Sequence, residues 1–525
     1  IKSLFRGMEG HGAIMRKHHI LTAVAAAAVF SLGASTLALA GEESTSGGTF
    51  TYARSDSTTS FDLHQEITEN NAFAIDKVFE SLVTFDNDGN IIDWLAEDHK
   101  ISDDGLVYTF TLRDGLKFSD GTDVTAEDVK FSIERHLEVG GSLPIEADVK
   151  SVEAVDEKTV EITLGTAYTP FLSELANFSN GIIPKDFGGK TEEEFFKNPV
   201  GTGPFAVSEW DPSGDLTFVK NEYYWQEGKP YIDELVYKVV DDDNQALNQL
   251  LAGEIDGIED LSLSNASNVD GNADTKTATS FSYNVEELFF NTLDEHFSDE
   301  HVRRALAMAI DRESLTKALT FGYAEIANTV LPRALLYQTN DTVNALSYDI
   351  DAAKEELAQS AYPDGFDTTI SIASGNNTRL QEAQIIQAAG AQIGINIEIN
   401  AQEISTFRSD FRDLNFSMMI NSATADYPDA NSIFAFQVDP DGWSKCYWTS
   451  YNNETAADLM RKGQVTPDGD ERAAVYEELQ QILADEVPYI PLYNSENVVG
   501  LRDNVEGFTV LPNGSVHFED VYFEE

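Results

Sequence analysis

Strand and helix patterns alternate along the whole chain, and this alternation limits the folds that it can adopt. Apolar residues at every second position predict a half-buried strand at Tyr108, Phe110 and Leu112. Thr125, with Asp128 in the first turn, predicts the start of a helix. No repeat of fixed period is visible, which argues against a solenoid or a propeller. The sequence therefore predicts mixed α/β structure in more than one lobe.

Two segments in the second half of the chain have equally clear patterns. Ser298 precedes a strongly amphipathic run, so we expect it to cap a helix. Apolar residues occupy every second position from Leu414 to Ile420, which predicts one more strand. No polar, low-complexity linker separates these segments from the first half, so we expect the lobes to share chain crossings.

The charge of the chain is extreme. It has 91 Asp and Glu against 34 Lys and Arg, a formal net charge of −57. Hydrophobic residues make up 42%, which is enough for large cores and argues against disorder of the whole chain. Such acidity repels phosphate backbones, so nucleic-acid binding is excluded. We interpret the acidic surface as general adaptation to salt; a role specific to the ligand is the alternative.

The first 40 residues have the pattern of a secretory signal peptide. Met15 opens a basic region, residues 20–32 are apolar, and Ala-Leu-Ala at 38–40 fits a cleavage site before Gly41. A membrane anchor is the alternative, but the apolar part is shorter than the ~18 residues that a spanning helix requires. Because glycine and not cysteine would follow the cleavage, no lipid anchor is expected. The sequence therefore predicts an unanchored protein in the periplasm.

Motifs of catalytic and metal sites are absent from the sequence or incomplete. Neither Gly-x-Ser-x-Gly nor His-Glu-x-x-His occurs, and Pro184 stands where the phosphate loop that residues 189–191 imitate would need glycine. His296 and His301 are five residues apart, which does not match the spacing of two metal ligands on a helix. Cys446 is the only cysteine, so no intramolecular disulfide can form, and we expect a packed thiol. We expect no catalytic residue, no metal and no cofactor.

Several motifs recur in an order and spacing that resemble one family. They are Trp-Leu-Ala-Glu at 94–97, Leu-Lys-Phe-Ser-Asp-Gly-Thr at 116–122, Asn-Pro-Val-Gly-Thr-Gly-Pro-Phe at 198–205 and His-Val-Arg-Arg-Ala-Leu-Ala-Met-Ala-Ile-Asp at 301–311. Together they resemble the peptide/nickel-type solute-binding proteins of ABC importers, which include oligopeptide- and dipeptide-binding proteins. The resemblance runs from about Gly48 to the end of the chain. Each motif can also be ordinary scaffold, so the motifs identify a fold and not a binding chemistry.

The resemblance implies an α/β fold of class II periplasmic-binding-protein type. Two lobes surround a cleft, and lobe one carries an extra subdomain. We place lobe one with its subdomain at residues 41–280, lobe two at 281–489 and a C-terminal segment that returns to lobe one at 490–525. The chain would cross between the lobes near 277–283 and near 486–489, and the lobes would close around a ligand by a hinge motion.

The resemblance also implies how the ends of a peptide would be held. Asp426, in Ala-Asp-Tyr at 425–427, is similar to the family's ammonium-binding aspartate; a loop-capping Asp is the alternative. Several oligopeptide binders carry an arginine six residues earlier, where this chain has Ile420. The partner of the ligand carboxylate must then come from elsewhere. Arg379 is the first candidate and Arg54 the second, although either can be an ordinary surface charge.

Further candidates for the cleft are aromatic. Tyr283, Tyr427, Trp443 and Trp448 combine apolar area with a polar tip, which suits a hydrated pocket, but core packing explains each of them equally well. Asp429 serves as a comparison for Asp426, because an effect of general negative charge in the loop would be the same at both residues.

The sequence predicts a monomeric receptor that captures peptides and delivers them to the permease of an ABC importer. Docking on a chemoreceptor is compatible with this role. One alternative keeps the fold and changes the ligand to an oligosaccharide, an opine, glutathione or a nickel complex. A secreted hydrolase is the other alternative, and the missing catalytic motifs argue against it.

Overall fold

A computed structural model of the chain describes residues 46–65, 68–86, 89–442 and 449–524. The expected signal peptide at 1–40 lies outside these ranges, as do Trp443, Cys446 and Trp448. Within the described ranges, no helix has both the length and the apolar character needed to cross a membrane.

Helices and strands alternate along the described residues, as the sequence predicts. The α-helices are α1 (Glu69–Val78), α2 (Ala126–Val139), α3 (Phe171–Leu175), α4 (Glu192–Lys197), α5 (Asp243–Ala252), α6 (Leu263–Asp270), α7 (Glu300–Ala309), α8 (Arg312–Leu319), α9 (Ile350–Leu357), α10 (Asn377–Gln392), α11 (Ile404–Arg412), α12 (Asn431–Gln437), α13 (Glu454–Val465) and α14 (Asp470–Glu486). Short 3₁₀ segments lie at Phe178–Asn180, Lys185–Gly189 and Phe518–Asp520.

The strands are β1 (Thr49–Arg54), β2 (Val83–Phe85), β3 (Ile91–Asp93), β4 (Ala96–Ile101), β5 (Val107–Leu112), β6 (Val149–Ala154), β7 (Thr159–Leu164), β8 (Phe205–Trp210), β9 (Leu216–Lys220), β10 (Glu234–Val239), β11 (Gly257–Ile258), β12 (Thr275–Phe290), β13 (Ala324–Ile326), β14 (Phe366–Ala373), β15 (Ile395–Gln402), β16 (Met418–Thr424), β17 (Tyr489–Arg502), β18 (Val505–Glu506) and β19 (Tyr522–Phe523). Eleven of them form one mixed sheet in the order β15-β14-β16-β12-β17-β11-β1-β10-β9-β8, with β13 also on β17. A separate antiparallel sheet has the order β4-β5-β7-β6.

Two long strands, β12 and β17, join the two halves of the large sheet. Their pairing is antiparallel, and its register breaks between Phe281 and Val285. Beyond the break, β12 pairs with β16 on one side of the sheet, whereas the far end of β17 pairs with β11 on the other. Separate hydrophobic cores lie on the two sides, one around Leu288 and Ile420 and one around Phe50.

Local sequence signals explain where several elements begin. The carboxylate of Asp128 accepts a hydrogen bond from the backbone N–H of Thr125 at 2.8 Å, so the cap predicted for α2 is confirmed. The cap predicted at Ser298 is wrong by one residue, because Asp299 accepts from the N–H of His301 at 3.0 Å. The strand predicted from Leu414 starts only at Met418, since Leu414 lies in a turn with a φ of 55°.

Candidate functional site

A cavity of about 700 Å³, called the main cavity below, lies where the two halves of the large sheet meet. Its walls come from α1 and the residues after it, from the end of β16 with the following loop, and from the segment between β18 and β19. Tyr283, at the register break of β12, is also part of the wall. A cavity of this volume is typical of sites for small organic ligands.

Asp426 lies on this wall, two residues after β16 ends, and its backbone is held on both sides. The side-chain amide of Asn177 donates to the Asp426 carbonyl at 2.8 Å. The Asp426 N–H donates to the hydroxyl of Ser432 at 2.8 Å. The N–H of Ala425 donates to the carbonyl of Tyr283 at 3.0 Å. These contacts fix the backbone of the loop, so the side chain of Asp426 starts from a defined point on the cavity wall.

The Asp426 carboxylate itself makes no hydrogen bond or ion pair with any residue that the structure describes. The side chain reaches solvent, yet the cavity walls surround it. Partial desolvation by these walls raises its pKa to about 6, and the nearby charge of Glu146 adds to the effect. A cation placed here would favour the ionised carboxylate, and it would offset both the desolvation and the repulsion from Glu146.

Tyr427 and Tyr283, two of the aromatic candidates, line the main cavity as well. The Tyr427 hydroxyl accepts from the side-chain amide of Asn431 at 3.2 Å and lies 3.3 Å from the hydroxyl of Tyr168. The Tyr283 hydroxyl is buried and has no hydrogen-bond partner among the described residues. A buried hydroxyl of this kind gains from any polar ligand group that comes within reach.

The two arginine candidates do not line the main cavity. Arg379 donates two hydrogen bonds to the carboxylate of Glu286, at 2.7 and 3.2 Å, and one at 3.3 Å to the hydroxyl of Ser422, which does line it. Arg54 is 2% exposed and pairs with Glu259 at 2.8 Å inside the protein, which removes it from our candidates. Ile420, at the position of the expected arginine, is fully buried in the core.

Asp429 is not the neutral comparison that the sequence suggested. Its two carboxylate oxygens accept from the guanidinium of Arg472 at 2.6 and 2.8 Å, and both side chains are buried. The Asp429 carboxylate is therefore part of the scaffold, whereas that of Asp426, three residues earlier, is not paired within the described chain.

Two basic side chains are part of the described lining of the main cavity, and both are already engaged. The ammonium of Lys77 lies 3.0 Å from a carboxylate oxygen of Asp76 and donates to the carbonyl of Val516 at 2.5 Å. His517 contacts the carboxylate of Glu519 at 2.7 Å. Asp76 and Glu519 are near neighbours of Lys77 and His517 in the chain, whereas the contact between Lys77 and Val516 spans 439 residues and no local pattern indicates it.

Glu80 is a buried carboxyl on the wall that the sequence did not single out. It accepts hydrogen bonds from the indole N–H groups of Trp94 and Trp225 at 2.8 and 3.2 Å and from the hydroxyl of Tyr224 at 3.1 Å. Burial raises its pKa to about 7 although the hydrogen bonds from the two indoles oppose the shift. Glu80 therefore organises aromatic side chains, whereas the carboxylate of Asp426 is open to a ligand.

Two α/β lobes, joined by two long strands beside a ligand-sized cavity, define the class II periplasmic-binding-protein fold. The sequence-based prediction of this fold is confirmed. The family model of the bacterial extracellular solute-binding proteins, family 5, matches residues 90–445. The chain therefore belongs to this family, whose members are the binding proteins of transport systems and are not enzymes.

Three known proteins illustrate the similarity. The glutathione-binding protein GsiB of Escherichia coli is 28% identical over 452 residues, which cover 84% of this chain and 88% of that protein. The periplasmic binding protein DppA of Helicobacter pylori, solved with the peptide STSA, is 28% identical with a TM-score of 0.76. The match covers 92% of this chain and 99% of the DppA chain. HbpA2 of Haemophilus parasuis is 26% identical with a TM-score of 0.82, and the match covers 91% of this chain and 100% of the HbpA2 chain.

Proposed function

We propose that this protein binds peptides in the main cavity and delivers them to the permease of an ABC importer. The observation that carries the proposal is the Asp426 carboxylate, which faces a ligand-sized cavity and has no partner among the described residues. An α-ammonium is the cation that every unblocked peptide carries, so its capture is independent of the peptide sequence. The similarity to DppA, which was solved with a peptide, supports this ligand class.

The other end of the peptide would approach the side of the cavity formed by Ser422. Arg379 remains our candidate for the carboxylate, because its guanidinium already contacts the Ser422 hydroxyl. Its pairing with Glu286 keeps it in place and compensates its charge in the absence of ligand. A bound carboxylate would then share the guanidinium with Glu286.

Closure around the ligand would use the two strands that join the halves of the sheet. We place the hinge at the register break between Phe281 and Val285 in β12 and at the opposing residues 494–496 of β17. Backbone that leaves regular pairing can change its dihedral angles without breaking a ladder of hydrogen bonds. The lobe boundaries at 280/281 and 489/490 remain part of this proposal.

The cellular setting of the proposal comes from the sequence. Export would remove residues 1–40 and leave a monomer in the periplasm, where it could also dock on a chemoreceptor. The large negative charge would keep it dispersed in salty surroundings.

Glutathione is the second candidate, because GsiB is a glutathione-binding protein. Its ammonium shares a carbon atom with a carboxylate, which would lie beside Asp426. The carboxylate of Glu146 already acts on Asp426 as a like charge. Repulsion between these like charges favours the amino terminus of an ordinary peptide, whose neighbouring group is a neutral amide.

A thermal-shift comparison tests the proposal. Trialanine, glutathione and a maltose oligosaccharide are each added at the same concentrations to the mature protein, and the thermal midpoint is recorded. Ligand at about 100 times its Kd stabilises the folded state by about 2.7 kcal/mol, so only a true ligand raises the midpoint. We expect trialanine to do so. A shift with glutathione or the sugar alone would replace peptides by that ligand.

A further inference from the structure

A smaller cavity of about 230 Å³, called the side pocket below, adjoins the main cavity. Asn177, Asp426 and Tyr427 line both cavities, whereas Glu146 and Glu174 line the side pocket alone. Its volume corresponds to roughly seven or eight molecules of liquid water. That is too small for a peptide and is suited to one side chain.

The ionisable carboxyl groups around the side pocket are not balanced by any basic group in its described lining. Its described lining contains the carboxyls of Glu146, Glu174 and Asp426 and no lysine, arginine or histidine. No group of three or more potential ligands in the described residues is arranged to hold a metal ion. The lining thus favours an organic cation, which can contact carboxylates that are spread along a pocket.

Glu174 gives independent evidence that a donor is missing from the side pocket. The residue is only 3% exposed, and its Oε1 atom has no hydrogen-bond partner among the described residues. The other oxygen accepts one long hydrogen bond, from the N–H of Ala147 at 3.4 Å. A buried carboxyl oxygen without a donor is costly, so a ligand ammonium or guanidinium that reaches it would be stabilising.

Geometry connects this pocket to the amino terminus of the ligand. In a peptide, the α-ammonium and the first side chain are attached to the same carbon atom. Asp426 lines both cavities, so an ammonium bound there places the first side chain within reach of the side pocket. Glu146 and Asp426 both line the side pocket, and the charge of Glu146 acts on Asp426.

We propose that the side pocket binds the cationic side chain of a lysine or arginine at the first position of the peptide, through Glu146 and Glu174. The inference rests on the proposed function and adds a specificity to it. Peptides that begin with a basic residue are preferred, and other first residues are accepted with lower affinity because the pocket stays hydrated.

Calorimetry with two matched tripeptides tests the preference. Lys-Ala-Ala and norleucine-Ala-Ala have the same length and a similar side-chain shape, but only the first carries a side-chain ammonium. We expect the wild type to bind the lysine peptide at least about tenfold more tightly, as one charge-assisted hydrogen bond would give. Glu146→Gln and Glu174→Gln should each remove most of this preference, because they weaken the lysine peptide much more than the norleucine peptide.

Glu138→Gln is the matched control. Glu138 is exposed at the end of α2, lines neither cavity and has the same charge as Glu146. If this variant lost as much preference as Glu146→Gln, the preference would come from the acidic surface as a whole, and the inference would be overturned.

The remaining outcomes separate this inference from the proposed function. Equal wild-type affinity for the two peptides overturns the side-pocket assignment and leaves peptide binding intact. No binding of either peptide overturns the proposed function itself. If Glu174→Gln does not fold, the exposed Glu146 still decides the question, because its substitution removes no described hydrogen bond to the backbone.

Discussion

Peptide affinity should fall as the pH drops below about 6, because Asp426 must be ionised to pair with an ammonium. The pKa of Asp426 in the free protein is about 6, raised by the cavity walls and by Glu146. Protonation then competes with binding, and the dissociation constant rises tenfold for each pH unit below this pKa. Between about pH 7 and about pH 5 we therefore expect a loss of about tenfold. An aspartate with the ordinary pKa of about 3.9 would lose less than about a tenth over the same range.

The variant Asp426→Asn distinguishes the titration of Asp426 from a general loss of structure at low pH. The side chain reaches solvent before the ligand binds, so its removal should cost about what one hydrogen bond to a charged group contributes, ~1.5–3 kcal/mol. That corresponds to roughly ten- to hundredfold weaker binding at about pH 7. The variant should also lose the pH dependence, because the group that titrates is gone.

Calorimetric titration of trialanine at several pH values provides the assay, since its ammonium stays largely charged below about pH 7. Glu146→Gln should shift the midpoint of the pH profile to lower pH, because the charge of Glu146 is the second cause of the raised pKa. Affinity that is flat between about pH 5 and about pH 7 would refute the role of Asp426. The same slope in wild type and Asp426→Asn would refute it as well.

Four further predictions concern stability and the ligand carboxylate. Without ligand, Asp426→Asn should raise the thermal midpoint near neutral pH. The raised pKa means that the protonated carboxyl stabilises the folded protein below about pH 4. This contribution is lost as the pH rises through about 6, where Asp426 ionises. An unchanged or lower midpoint would contradict this. Asp429→Asn should reduce the free energy of unfolding by about 1–3 kcal/mol in urea titrations, because the buried guanidinium of Arg472 then keeps only the carboxylate of Asp468; an unchanged stability would show that the pair is unimportant. Arg379→Gln should weaken trialanine more than trialanine amide, and equal losses for the two ligands would exclude a contact with the carboxylate. The thermal midpoint of the wild type should rise from low to molar NaCl because ions screen the repulsion within a chain of net charge −57, and a flat curve would exclude adaptation to salt.

The sequence predicted well those features that depend on neighbours in the chain. The cap of α2 involves Thr125 and Asp128, three residues apart, and the structure shows it. The cap of α7 was misplaced because Ser298 and Asp299 are adjacent and both residue types are good caps. Family motifs predicted the two-lobed fold because their order and spacing extend over most of the chain.

The site was predicted only in part, because its contacts connect distant segments. Asp426 follows from the family motif, but the amide of Asn177 that holds its carbonyl is 249 residues away. The pairing of Arg379 with Glu286 spans 93 residues, and no local pattern indicates it. The side pocket was not foreseen, since acids are so common in this chain that Glu146 and Glu174 have no distinctive signal.

Blocking the amino group of the ligand is the sharpest test of how this protein recognises peptides. N-acetyl-trialanine has the same three residues as trialanine, but its amide lacks the charge that Asp426 is proposed to bind and carries an added acetyl group. Titrated into the wild type near pH 7, the free peptide should bind at least about tenfold more tightly than the acetylated one. Asp426→Asn should bind the two with nearly equal, weak affinity. Equal affinity of the wild type for both peptides would contradict ammonium capture at Asp426 and, with it, the proposed mode of peptide binding.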